Sequence, residues 1–178
     1  MSDYFTIEEL KNMGFSSVGE GVLASRDARF YAIEGSLGAG VRIDDFAILT
    51  GNIKLGRNVH ISPFCFLGGT GGEIVMDDFS GVSTHVSIFT KSDNYKLRAP
   101  EQIHKETGNV YIGRKSIIGC GTTILPNVSI AEYVSVGCNC LVATNIDRGS
   151  IVISRSSGLI TVGNRTTPTT EERHEERK

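Results

Sequence analysis

Few side chains in this chain are suited to catalysis, and their spacing is informative. Histidine occurs four times, at His60, His85, His104 and His174. His104 falls late in a polar stretch and His174 in a charged tail, so both read as bystanders. An acidic side chain, Asp93, sits in the polar run Lys91-Ser92-Asp93-Asn94-Tyr95. A carboxylate can take a proton, but its usual pKa of about 4 makes it a weak base unless burial raises it. The four cysteines, Cys65, Cys120, Cys138 and Cys140, show no C-x-x-C spacing, so neither a zinc ribbon nor a disulfide framework is expected. Cys120 and Cys138 each follow a glycine and stand 18 residues apart. Nothing near them in sequence marks an activated thiol.

A repeat carries these residues. Steps of six from Leu37 give Leu37, Ile43, Leu49, Leu55, Ile61 and Leu67. A second run gives Ile112, Ile118, Ile124, Ile130, Val136 and Val142, and a short middle run gives Met76, Val82 and Ile88. The place two residues earlier is mostly small or apolar, as at Val41, Ala47, Cys65, Ser116, Thr122 and Cys140. Six is not a multiple of 3.6, and the segments are rich in Gly, Val, Ile and Thr, which excludes an amphipathic helix. Plain period-two strands do not restart at every sixth residue. A parallel β-helix fits both facts. Each six supplies a short strand and a turn, and three sixes close a triangular coil of 18 residues. The inward side chain then stacks on its equivalent about 4.8 Å away in the next coil. Gly56, Asn58, Gly113, Gly119, Asn127 and Gly137 supply corner chemistry. In this frame His60 and His85 point outward, and Cys120 stacks on Cys138.

Two stretches break the rhythm. Residues 68–75 shift the register by three, which predicts a widened corner, and residues 91–109 predict a protruding loop of functional character. At the start, Thr6-Ile7-Glu8-Glu9 is a capping box, so a short helix is expected over residues 6–13, covering the first coil. The division is therefore a helical N-terminal segment at 1–16, a β-helix at 17–163 carrying the loop, and a polar tail at 164–178. The chain has 178 residues, 21 of them glycine and none tryptophan, so its core must be stacked from branched side chains. A net charge of −2 argues against nucleic acid as partner. No apolar run is long enough for a membrane span, and the start has no secretory h-region, so a cytoplasmic protein is expected.

The segment IGRKSIIGCGTTILPNVSIAEYVSVGCNCLV resembles the hexapeptide-repeat acyltransferases. TIEELKNMGFSSVGEGVLASR and DDFSGVSTHVSIFTKSDNY resemble the maltose/galactoside-type enzymes, and most of all the small acetyltransferases of lipopolysaccharide and O-antigen synthesis. The resemblance implies a left-handed β-helix, an exception to the usual right-handed crossover. It also implies a homotrimer with sites between neighbouring subunits, and acetyl-CoA as donor to a hydroxyl or amino group of a sugar or nucleotide sugar.

By the same resemblance Cys120, Gly121, Cys138 and Asn139 lie along the pantetheine arm. The prolines that usually follow the last coil are missing, Gly158 stands where a basic residue is usual, and Arg155 is the available substitute for the phosphates. His60 and Ser62 correspond to acceptor-binding positions, as do Asn94 and Tyr95 in the loop. The sugar O-acetyltransferases place a base histidine where this chain has Asp93; His85 is the alternative catalytic group. An amine needs less help than an alcohol, because a neutral amine attacks unaided, so the missing histidine favours an amino-sugar acceptor. Two other readings follow from the same fold. One is a β-helical binding or scaffold protein without catalysis. The other is a γ-type carbonic anhydrase, which His60, His85 and His104 fit poorly because the family's close histidine pair is missing.

Overall fold

The computed structural model describes residues 3–93, 104–155 and 158–164. Asn94, Tyr95, most of the expected loop and nearly all of the polar tail lie outside the described residues. The chain is a left-handed parallel β-helix of about seven coils, as the repeat and the resemblance together predict.

Three faces make each coil. The first carries Leu23–Ala24, Arg42–Ile43, His60–Ile61, Gly81–Val82, Ile117–Ile118 and Ser135–Val136, paired in parallel register. The second pairs Leu49 with Leu67, Leu67 with Ile88, Ile88 with Ile124 and Ile124 with Val142. The third pairs Leu37 with Leu55, Leu55 with Met76, Met76 with Ile112 and Ile112 with Ile130. All of these inward residues are buried, most of them completely. The core is thus three aliphatic stacks that run the length of the helix, and dispersion between successive coils holds it together.

Polar residues at the place two before the stack satisfy themselves on neighbouring backbone. Ser116 Oγ donates to Ala131 O at 2.9 Å, and Thr122 Oγ1 donates to Gly137 O at 3.0 Å. Cys65 Sγ donates to Ser83 O at 3.1 Å, and burial pushes its pKa up to about 11. A buried hydroxyl is tolerated here because a backbone carbonyl lies within reach, on the next coil for Ser116 and Thr122 and in its own turn for Ser80, which donates to Asp77 O at 2.7 Å.

The widened corner is real. Register passes from Gly51↔Gly69 to Asn52↔Glu73, so Thr70, Gly71 and Gly72 are the three extra residues. The helix spans Ile7–Asn12, with the full capping box between Thr6 and Glu9, and it buries Leu10 completely. The end of the β-helix differs from a further parallel coil. Ser150–Arg155 continues the first face in parallel, but Gly158–Asn164 folds back antiparallel on it. Gly158 sits beside the turn at φ 110°, a conformation that favours glycine, and lets the chain reverse there.

Candidate functional site

The corner between the first and second faces stacks one residue per coil. In order these are Asp45, Pro63, Thr84, Cys120 and Cys138, linked by amides that each donate to the carbonyl one coil below. His85 N–H donates to Pro63 O at 3.2 Å, Gly121 N–H to Thr84 O at 3.0 Å, and Asn139 N–H to Cys120 O at 2.8 Å. The stacking expected of Cys120 and Cys138 is therefore present. Cys138 is exposed and Cys120 half-buried. A hydrogen bond from one thiol to the other, and the charge of Cys138, hold Cys120 above its ordinary pKa. The parallel register of Ser135↔Ile151 and Val136↔Val152 ends there, and Arg155 stands exposed at the end of the strand, paired with Gly158.

The neighbouring positions of this corner form a second column, with left-handed φ of 62° at Phe46, 61° at Phe64 and 60° at His85. Phe46 stacks on Phe64, and Phe64 on His85, each at 5.0 Å between ring centroids. The outward placement expected of His85 holds, and its ring is fixed by this stack. Ser62 and Ser83 begin the corner in successive coils, since Ser62 N–H bonds to Val82 O at 3.1 Å and Ser83 N–H to Ile118 O at 2.9 Å. His60 is outward on the first face, but its Nε2 is 2.8 Å from Asp44 Oδ2, and Arg42 Nε donates to Asp44 Oδ1 at 2.6 Å. The imidazole is thereby tied to a carboxylate–arginine cluster.

Asp93 lies at a different corner. Thr90, fully buried, fixes where the chain leaves the β-helix: its Oγ1 donates to Gly68 O at 2.7 Å and accepts from Gly71 N–H at 3.0 Å. Gly108 N–H closes the loop base on Thr90 O at 2.9 Å. Lys91–Asp93 then pairs antiparallel with Lys105–Thr107, a ribbon that the hexapeptide count does not predict, and Asp93 stands opposite Lys105. Phe89, Lys91, Ser92, Asp93, Lys105 and Leu125 line a cavity of about 430 Å³. Two ammonium groups beside one carboxylate suit an acceptor that carries both an amine and phosphate.

The structure does not bring Asp93 and His85 together. The second-face strand Ser87–Phe89 lies between them, and their eight-residue separation is about 26 Å along extended chain. Cys120, Cys138, Ser83 and His85 belong to one corner of the β-helix, and Asp93 to another. Among the described residues no group of three or more His, Cys, Asp or Glu side chains is placed to hold a metal ion, and no helix is long and apolar enough to cross a membrane.

A coiled parallel β-helix of six-residue repeats, with a hollow beside the ribbon of Lys91–Asp93 and Lys105–Thr107, defines a hexapeptide-repeat protein. Comparison with known proteins makes this specific. No protein-family model matches the sequence. A curated relative from Escherichia coli, dTDP-4-amino-4,6-dideoxy-D-glucose acyltransferase, is 35% identical over 140 residues, covering 72% of each chain. The solved structure of AntD, an N-acyltransferase from Bacillus cereus in complex with dTDP and 3-hydroxybutyryl-CoA, is 33% identical with TM-score 0.84, covering 99% of this chain and 97% of that one. The acetyltransferase domain of PglB from Neisseria gonorrhoeae shares the fold at 18% identity and TM-score 0.62, covering 79% of this chain and 57% of that one. The chain belongs to the hexapeptide-repeat acyltransferases and is an acyltransferase.

AntD has also been solved with one aspartate replaced by Ala or Asn, and with a serine ten positions before it replaced by Ala, Thr or Cys. Here Ser83 and Asp93 have the same spacing. Asp93 stands out in sequence by its charge in a polar run, whereas Ser83 does not. The available signal was that Ser83 occupies the same corner place as Ser62, one coil on.

Proposed function

We propose that this protein transfers an acyl group from acyl-CoA to the amino group of a nucleotide-linked amino sugar, in the making of a bacterial surface polysaccharide. The observation that carries the reading is the Asp93 hollow with Lys91 and Lys105, in a chain similar over nearly its whole length to an N-acyltransferase crystallised with dTDP and an acyl-CoA.

The donor arm runs along the Cys120–Cys138 edge, with Gly121 and Asn139 beside it and Arg155 facing the phosphates. The acceptor lies in the Asp93 hollow, its diphosphate drawn by Lys91 and Lys105; Asn94 and Tyr95, next in sequence, are the remaining candidate contacts. His60 and Ser62 lie lower on the first face and its corner, where they contact the far end of the acceptor. Because the two half-sites stand on separate corners, a homotrimer completes each site by bringing the loop of one cytoplasmic subunit to the edge of the next. Ser83 and His85 of one subunit then meet Asp93 of its neighbour.

The chemistry needs little beyond placement. The neutral amine attacks the thioester carbonyl, and the C–N bond forms as charge builds on the carbonyl oxygen, where backbone N–H groups of the edge stabilise it. The C–S bond breaks and coenzyme A leaves as thiolate. Asp93 holds the amine in position and takes the proton that nitrogen loses.

The test is release of coenzyme A thiol from acetyl-CoA and longer acyl-CoAs, with a dTDP-4-amino sugar and its 4-hydroxy counterpart as acceptors. Turnover with the amine alone is expected. Turnover with the hydroxyl sugar alone, or with neither, would overturn the assignment.

A further inference from the structure

The two thiols on the donor edge have no part in the transfer, yet their arrangement is specific. Cys138 stands directly above Cys120, one coil away, and Asn139 N–H binds Cys120 O beside them. Both are accessible, whereas Cys65 and Cys140 are 1% and 2% exposed and face the interior. Cys140 is only two residues from Cys138, but its sulfur turns inward and contacts Cys138 O at 3.7 Å. Glycines precede both outer cysteines, and a Cβ at Gly119 would lie 2.7 Å from Cys138 N, so the two turns pack backbone against backbone.

We propose that Cys120 and Cys138 form a vicinal dithiol site that exchanges with a low-molecular-weight disulfide and closes to a disulfide between adjacent coils. The coil spacing of about 4.8 Å lies inside the Cα range that disulfides span, about 4.4–6.8 Å. The Cβ carbons lean roughly 1 Å together to reach their usual 3.8 Å separation. Cys138, the more exposed, attacks first: its thiolate displaces one RS⁻ from R–S–S–R, and that thiolate takes a proton from water. Cys120 then loses its proton to water and attacks Cys138 Sγ, releasing the second RSH. Two protein thiols are oxidised by two electrons, and one disulfide is reduced to two thiols. The hydrogen bond with Cys138 holds Cys120 above its ordinary pKa, so it stays a thiol until the mixed disulfide forms beside it.

Coenzyme A disulfide is the chemically matched oxidant, since the edge is assigned to the coenzyme A arm. That match, and any effect on turnover, rest on the proposed function; the reaction at the two sulfurs does not. The experiment is incubation of the reduced protein with coenzyme A disulfide, followed by intact mass and peptide mapping. The expected product has lost two hydrogens, carries a Cys120–Cys138 link, and reverts with dithiothreitol. Cys120→Ser should stop at one coenzyme A on Cys138, and Cys138→Ser should react at least about tenfold more slowly. Stable mixed disulfides on both cysteines of the wild-type protein, a link through Cys65 or Cys140, or no reaction would overturn the proposal. If the link forms and acyl transfer proceeds at the same rate in oxidised and reduced protein, the dithiol site stands and the placement of the donor falls.

Discussion

Replacing Gly119 by alanine tests the donor edge with a built-in control. The new methyl would lie 2.5 Å from the carbonyl carbon of Gly137 and 2.7 Å from the amide nitrogen of Cys138. Ordinary contact begins near 3.4 Å, so the two coils must part by about 0.9 Å at this corner. The bonds from Gly119 N–H to Val136 O and from Asn139 N–H to Cys120 O are both 2.8 Å. Stretched by about that amount they exceed useful hydrogen-bond length. Two such losses cost about 1–3 kcal/mol, or a drop of roughly 2–12 °C in Tm for a chain of this size. Gly113→Ala has the same clash at another corner, 2.5 Å from Glu132 N, with bonds of 2.8 and 2.9 Å beside it. It should lose similar stability. Only Gly119→Ala displaces the Cys120 amide, and loss of one ligand hydrogen bond there should raise the Kd for coenzyme A by about tenfold. Gly81→Ala, whose methyl would meet nothing closer than 3.5 Å, should change neither quantity. Calorimetric titration of the three folded variants with coenzyme A decides the matter. Equal donor affinity in Gly113→Ala and Gly119→Ala would refute the placement of the donor, and an unchanged Tm in both would refute the steric argument.

Three other outcomes are expected. Ile88→Ala empties one layer of the second-face stack between Leu67 and Ile124 and should cost about 2–5 kcal/mol in urea unfolding, with a smaller loss showing that the coils collapse onto the gap. Asp93→Asn should lower kcat/KM with an amino-sugar nucleotide about 10²-fold and leave Tm unchanged, because the side chain is exposed; wild-type kcat/KM would remove Asp93 from the mechanism. Burial raises the Cys65 pKa from an ordinary 9 to about 11, so the folded state favours the neutral thiol. Its contribution to stability is whole below pH 9 and is lost as pH climbs towards about 11. Cys65→Ala should flatten that slope in denaturation measured across the window.

The β-helix was legible because its core is a one-dimensional pattern: Leu37, Leu55, Met76 and Ile112 occupy one inward stack, and every coil repeats the same local rule. The widened corner was legible as a slip in that rhythm. The antiparallel return of Gly158–Asn164 was not, since Ile151 and Ile153 alternate equally well in either strand direction and only pairing fixes the sense. The ring stack of Phe46, Phe64 and His85 was hidden because Thr70, Gly71 and Gly72 lengthen the second step from 18 to 21 residues. Cys120 over Cys138 needed only the 18-residue coil. The separation of Asp93 from His85 needed the corners themselves, which depend on where Thr90 anchors the chain.

A solenoid of parallel strands is a one-dimensional crystal, and the end of each molecule is a growth face. A bare last coil would present unpaired amides and carbonyls at the spacing that another molecule's first coil would match, which is also the geometry of fibril extension. Gly158–Asn164 poisons that face, because a strand lying antiparallel across Ser150–Arg155 offers an arriving coil the wrong polarity. Truncation after Arg155 should therefore convert a particle of fixed length into one that lengthens with concentration.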